Sequence, residues 1–147
     1  MRKLALCALT VTALLGLGGV AAAKSYHAKS PIEYYVGAGA CGKTGNQHVI
    51  GTSSYVRKGN VVTVSYKLKG AEPNISYHVE LWRVGGVDAA CESLGSIGRF
   101  TTNRHGDGKA KGSIEVPAGA TEFFAAGVAE ETIIGSYYDD ALAVTLP

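Results

Sequence analysis

Hydrophobic and polar residues alternate with a period of two along most of the chain after residue 23. The clearest alternating runs cover residues 62–69, 75–81, 110–116 and 142–146. Residues 123–129 are apolar at almost every position, which is typical of a central strand buried on both faces. No run after residue 23 keeps the spacing of an amphipathic helix, so the pattern predicts an all-β protein.

Turn-forming pairs and triplets rich in glycine, proline and asparagine separate these runs. Weaker alternation predicts further strands near residues 32–37, 47–57 and 96–102. Short strands at this spacing predict one antiparallel two-sheet sandwich of about eight strands.

The first 23 residues differ from the rest. Met1-Arg2-Lys3 is followed by an uncharged apolar run that ends in Ala21-Ala22-Ala23. This order predicts a cleaved signal peptide over 1–23, although the run is also long enough for an uncleaved membrane anchor. We therefore expect a flexible leader over 24–31, a sandwich domain over 32–147 and no membrane span after cleavage. The expected location is extracellular or in the cell envelope.

Removal of Arg2 and Lys3 leaves as many basic as acidic residues, 12 of each. A neutral mature chain argues against nucleic acid or an anionic membrane as the main partner. The charge is nevertheless uneven, because residues 112–147 hold six acidic residues and no basic ones. Either the two parts neutralise each other within one sheet system, or they pair between molecules.

Cys41 and Cys91 are the cysteines that remain after cleavage. In an oxidising compartment such a pair is expected to form a disulfide bond.

Within residues 68–81, a hydrophobic residue is followed by Pro73 and then by Tyr77, which lies in an alternating strand. This segment resembles the corner of fibronectin type III and other Ig-like domains, and Phe100-Thr101-Thr102-Asn103 before a Gly/Asp hairpin is similar to many secreted bacterial sandwich domains. The resemblance implies an Ig-like fold, with the Tyr77 hydroxyl bonded to upstream backbone as a structural tyrosine corner. It implies nothing about function.

Residues 37–44 match a phosphate-binding loop, with Gly37, Gly42, Lys43 and Thr44 at the defining positions. Such a loop requires a helix that starts at the Lys-Thr pair. Gly45-Asn46 follows instead, so we interpret the match as a glycine-rich turn that binds no nucleotide.

His78 and Glu80 share one strand face, which could hold a weakly bound copper or zinc ion or could simply be solvated. No nucleophile accompanied by a base and an orienting acid is recognisable. We expect no catalytic residue, metal site or cofactor.

The aromatic residues give the best candidate contacts. Trp82 falls on the same polar face as His78 and Glu80, and Tyr137-Tyr138 forms a doublet in which one ring would face outward. Exposed aromatic rings beside polar groups are typical of surfaces that bind sugars or proteins. Trp82 could alternatively pack under a loop or at a sheet edge.

Three functional hypotheses follow. The first is a secreted or cell-surface, non-enzymatic binding or adhesion module for an extracellular protein or glycan. The second is a self-associating structural subunit of an extracellular filament or matrix, assembled by addition of the strand at 24–36 to a neighbour. The third is a hydrolase or metal-binding protein.

Overall fold

The computed structural model describes residues 24–36, 48–85, 91–130, 136–140 and 143–147. Every regular element in these ranges is a β-strand, and none of them contains a helix long and apolar enough to cross a membrane. The strands are β1 (Ser25–Val36), β2 (Val49–Lys58), β3 (Val61–Leu68), β4 (Ser76–Arg83), β5 (Glu92–Thr101), β6 (Gly108–Glu115), β7 (Glu122–Ala129), β8 (Ser136–Asp140) and β9 (Val144–Thr145).

The strands follow the hydrogen-bonded order β5-β4-β7-β8-β1-β2-β3-β6, and β9 pairs with β7. All these pairings are antiparallel. The strands form two four-stranded antiparallel sheets, as the alternation predicts. We call β1-β2-β3-β6 the first sheet and β5-β4-β7-β8 the second sheet.

The core lies between the two sheets and is built from the inward half of each alternating strand. In β3 the inward residues are Val62, Val64, Tyr66 and Leu68, all buried. The Tyr66 hydroxyl reaches across to β7, where a β-carbon on Gly127 would stand 2.6 Å from it. The absence of a side chain at Gly127 therefore allows the two sheets to approach each other there.

β7 is central in the second sheet, between β4 and β8. Phe123 and Ala125 face the core, and Phe124 and Ala126 on the opposite face are also buried. This confirms the prediction that residues 123–129 form a strand buried on both faces.

The first strand begins earlier than predicted. Residues 25–31, expected to be part of a flexible leader, form the first half of β1 and pair with β2. The inward positions of this segment are Tyr26, Ala28 and Ser30, and Ser30 is only 2 % exposed. The hydrophobic alternation is weak because alanine and serine are small and not strongly apolar. The leader interpretation is therefore wrong for residues 25–31, which belong to β1.

The C-terminal region also differs from expectation. The strand predicted over 142–146 is only the two-residue β9, whereas β8 was not predicted and pairs with both β7 and β1. The predicted signal peptide (1–23) and the phosphate-loop-like positions Gly37, Gly42, Lys43 and Thr44 lie outside the described residues.

Candidate functional site

The outer face of β4 carries the residues that the sequence pointed to. Tyr77, Val79 and Leu81 are fully buried in the core, so the alternating positions His78, Glu80 and Trp82 lie on the opposite face of the second sheet. These three side chains are half-buried. The prediction that His78 and Glu80 share a strand face is confirmed.

His78 lies between two carboxylates. Its Nε2 is 3.7 Å from Glu80 Oε1 and its Nδ1 is 3.9 Å from Glu130 Oε1. Glu130 follows the last residue of β7 and is placed there because its N–H donates to the Ser76 carbonyl oxygen, 2.9 Å away. Two carboxylates thus flank the ring, one from β4 and one from the residue that follows β7.

Two further side chains from β5 complete this polar network. Arg99 Nε is 3.3 Å from Glu130 Oε1, and the Ser93 hydroxyl donates to Glu80 Oε2 at 3.2 Å. Sequence analysis did not assign Glu130, Arg99 or Ser93 to the site. They are brought together by the pairing of β4 with β5, which sets His78 opposite Arg99, and by the pairing of β4 with β7, which ends next to Glu130.

Trp82 lies at the other end of the same face. Its ring stacks on Phe124 of β7, with centroids 6.1 Å apart and planes inclined by 16°. Trp82 Nε1 is buried and has no hydrogen-bond partner among the described residues. The indole is thus only half-buried, while its N–H is shielded from solvent.

The tyrosine doublet is only partly described. Tyr137 and Tyr138 lie on β8, with their backbones opposite Val128 and Gly127 of β7. The side chains of β8 are outside the described part of the structure, so their role as ligand contacts stays a prediction.

Tyr77 is fully buried and its ring stacks on Phe100, with 5.6 Å between centroids. The corner before it is held by Thr102, whose hydroxyl donates to the Glu72 carbonyl oxygen at 2.7 Å and accepts from the Ile75 N–H at 3.0 Å. The tyrosine-corner hydrogen bond itself remains a prediction. Thr102 belongs to the segment 100–103 noted in the sequence, but its role in holding this corner was not predicted, because the role depends on contacts with residues 72 and 75.

Cys91 immediately precedes β5, and Cys41 lies outside the described residues. The Cys41–Cys91 disulfide therefore stays a prediction.

The chemistry of the described site is that of polar and aromatic contact. Within the described residues, no group of three or more His, Cys, Asp or Glu side chains is arranged to hold a metal ion. The His78 network instead presents paired charges that can exchange hydrogen bonds with a ligand, next to the Trp82 ring.

Comparison of the chain with protein-family models, with curated proteins and with solved structures gives no significant match. The function is therefore inferred from the geometry of the site.

Proposed function

We propose that this protein is a secreted, non-enzymatic binding module that contacts an extracellular protein or glycan through the outer face of β4. The observation that carries the proposal is the grouping of Trp82 with the His78 network on one face of the second sheet. An aromatic ring face gives apolar contact area, and charged side chains beside it give directional hydrogen bonds. Export to the outside of the cell is supported by the charged start and apolar run of residues 1–23.

The half-burial of the site residues supports a binding role. His78 and Glu80 side chains are 28 % and 26 % exposed, so they are restrained by their neighbours while still reaching solvent. Restrained side chains lose little conformational entropy when a ligand binds.

We also propose that the sandwich is of the fibronectin type III or Ig-like kind. β4 and β5 form a hairpin in the second sheet, while β3 and β6, which flank them in sequence, pair in the first sheet. Such crossing between sheets is typical of Greek-key sandwiches. An experimental structure that shows the Tyr77 hydroxyl bonded to upstream backbone would support this assignment.

Glycan-array and extracellular-protein binding assays with the mature protein test the function. We expect Trp82→Ala to abolish any specific binding, and Trp82→Phe to retain part of it because a phenyl ring can still stack on Phe124. Circular dichroism of both variants checks folding. Unchanged binding by folded Trp82→Ala and by His78→Ala would contradict the proposal.

A further inference from the structure

The outer face of the first sheet is basic across its middle, with the carboxylates of Glu33 and Glu115 toward its two ends. Inward residues of β3 and β6 such as Val64 and Ala110 are buried, so the intervening residues face solvent. We define the basic face by four exposed lysines and the hydroxyl residues between them: Lys29, Lys67, Lys109, Lys111, Thr52, Ser54 and Ser65.

Strand register arranges these side chains in two adjacent rows that run across the sheet. One row is Lys29, Ser54, Ser65 and Lys111, which are successive cross-strand partners from β1 to β6. The next row contains Thr52, Lys67 and Lys109. With strands about 4.8 Å apart, the first row places two ammonium groups about 14 Å apart with hydroxyls between them.

The two lysines of the second row are directly opposite each other on β3 and β6. Like charges at directly opposed positions destabilise a sheet. No ion pair relieves them, because none of the four lysines has a carboxylate partner among the residues that the structure describes. Repulsion between these two lysines destabilises the free protein, and an anion bound between them would relieve that repulsion.

A shallow depression of about 290 Å³ lies at the end of this row, lined in part by Lys67, Lys69 and Lys109. The one carboxylate that lines it, Asp107, accepts a hydrogen bond from the Gly70 N–H at 3.2 Å. Three ammonium groups around one carboxylate leave the depression with a net positive charge. Electrostatic attraction therefore favours the binding of an anionic group of a ligand in this depression.

We propose that the basic face binds a linear acidic polysaccharide. Ammonium groups would pair with its carboxylate or sulfate groups, and the hydroxyl rows would exchange hydrogen bonds with its sugar hydroxyls. The face is separate from the Trp82 surface, because it belongs to the other sheet. It thus gives the protein a second ligand that does not depend on the function proposed above.

The composition of the face favours a polysaccharide over other polyanions. It lacks the aromatic rings on which bases of single-stranded nucleic acids stack. The residues that define the face also include no large apolar side chain that could insert into a bilayer, and the exposed Val49 and Val61 lie at the starts of β2 and β3. Glu92 and Glu130 of the second sheet are already paired with Arg83 and Arg99, which makes these two carboxylates less available to the basic face of a second copy of the chain.

The experiment measures binding of the mature protein to alginate and to heparin, which supply carboxylate and sulfate groups respectively. Neutral dextran, phosphatidylglycerol vesicles and poly(dT) are the comparison ligands. The test variant is Lys67→Gln/Lys109→Gln. The control Lys24→Gln/Arg104→Gln removes the same charge from positions outside the two rows.

We expect salt-sensitive binding to at least one acidic polysaccharide and none to dextran. The test variant should bind about tenfold more weakly and the control about as tightly as the unchanged protein, since each exposed ionic contact contributes modestly. Trp82→Ala should leave this affinity unchanged. A preference for alginate or for heparin would identify the anionic group.

Removal of the opposed lysines should leave the thermal midpoint unchanged or raise it. If the midpoint falls, Lys29→Gln/Lys111→Gln provides the same test from the other row. The proposal is overturned if no acidic polysaccharide binds, if vesicles or poly(dT) bind more tightly, or if the control weakens binding as much as the test variant.

Discussion

The guanidinium of Arg57 donates a hydrogen bond from Nη1 to the carbonyl oxygen of Leu146, 2.7 Å away. The same side chain donates to the carbonyl oxygens of Ala120 and Gly59, and it lies over the Phe123 ring. Arg57 is only 7 % exposed. One buried cation thus ties β2 to the loop before β7 and to the segment after β9.

Replacement of Arg57 by leucine should lower the free energy of unfolding by about 2–4 kcal/mol, because the buried carbonyl oxygens lose their donor. Urea unfolding followed by tryptophan fluorescence measures this change. The control is Lys58→Met at the next, exposed position, for which we expect a change within about 0.5 kcal/mol. An Arg57→Leu protein as stable as the original would show that burial of the charge costs as much as its hydrogen bonds contribute.

The close approach of β5 to β6 gives a second prediction. A β-carbon on Gly112 would lie 2.1 Å from the Ile97 carbonyl oxygen, whereas one on Gly98 would lie 3.5 Å from the nearest atom, the Ala110 Cβ. Gly112→Ala should therefore destabilise the protein by about 3 kcal/mol or more, since backbone must move. Gly98→Ala, the matched control, should change stability by less than about 1 kcal/mol. Equal stability of the two variants in chemical denaturation would contradict the observed packing.

Deletion of residues 24–31 should destabilise the domain. The deletion removes the paired first half of β1, including Tyr26 and the buried Ser30. We expect a loss on the order of 3 kcal/mol in urea unfolding. An unchanged unfolding midpoint would contradict the pairing of residues 25–31 with β2.

Size-exclusion chromatography of the intact mature protein tests the strand-addition hypothesis separately. Because β1 pairs with β2 and β8 of its own chain, we expect elution as a monomer. Concentration-dependent oligomers that disappear on deletion of 24–31 would favour assembly by strand exchange.

The predicted Cys41–Cys91 disulfide can be tested by intact mass. The protein purified without reductant should be lighter than the reduced protein by the mass of two hydrogen atoms. Cys91→Ser should lower stability by about 4 kcal/mol in the chain-entropy treatment of a loop of this length. Cys41→Ser should lower it equally, and the double variant should lose no more than either single one. Additive losses would show that the two cysteines do not pair.

Sequence periodicity predicted the strands that have apolar residues on one face. β3 and β4 follow their alternation closely, because Val, Leu and Tyr at every second position leave one orientation that buries them. Residues 25–31 escaped prediction because Ala28 and Ser30 are small and weakly apolar. β8 escaped because tyrosine and aspartate neighbours give no alternating signal.

Only the site residues that lie on a single strand, β4, could be predicted from the sequence. His78, Glu80 and Trp82 could be placed together because residues two apart share a face. Glu130 and Arg99 reach His78 through cross-strand pairing, and pairing partners cannot be read from local pattern. Arg57 was equally hidden, since an arginine in a strand ordinarily indicates an exposed position.

The partnership of β1 with β8 sets Ile32 opposite Asp140, two residues that are far apart in the chain. Contacts between such distant positions cannot form until both segments are present, and folds dominated by them are slow to assemble, in milliseconds to seconds. A chain released gradually through an export channel would therefore stay unfolded while it crosses. Under the export proposed above, the topology that closes this sandwich would thus delay folding until both β1 and β8 have crossed the membrane.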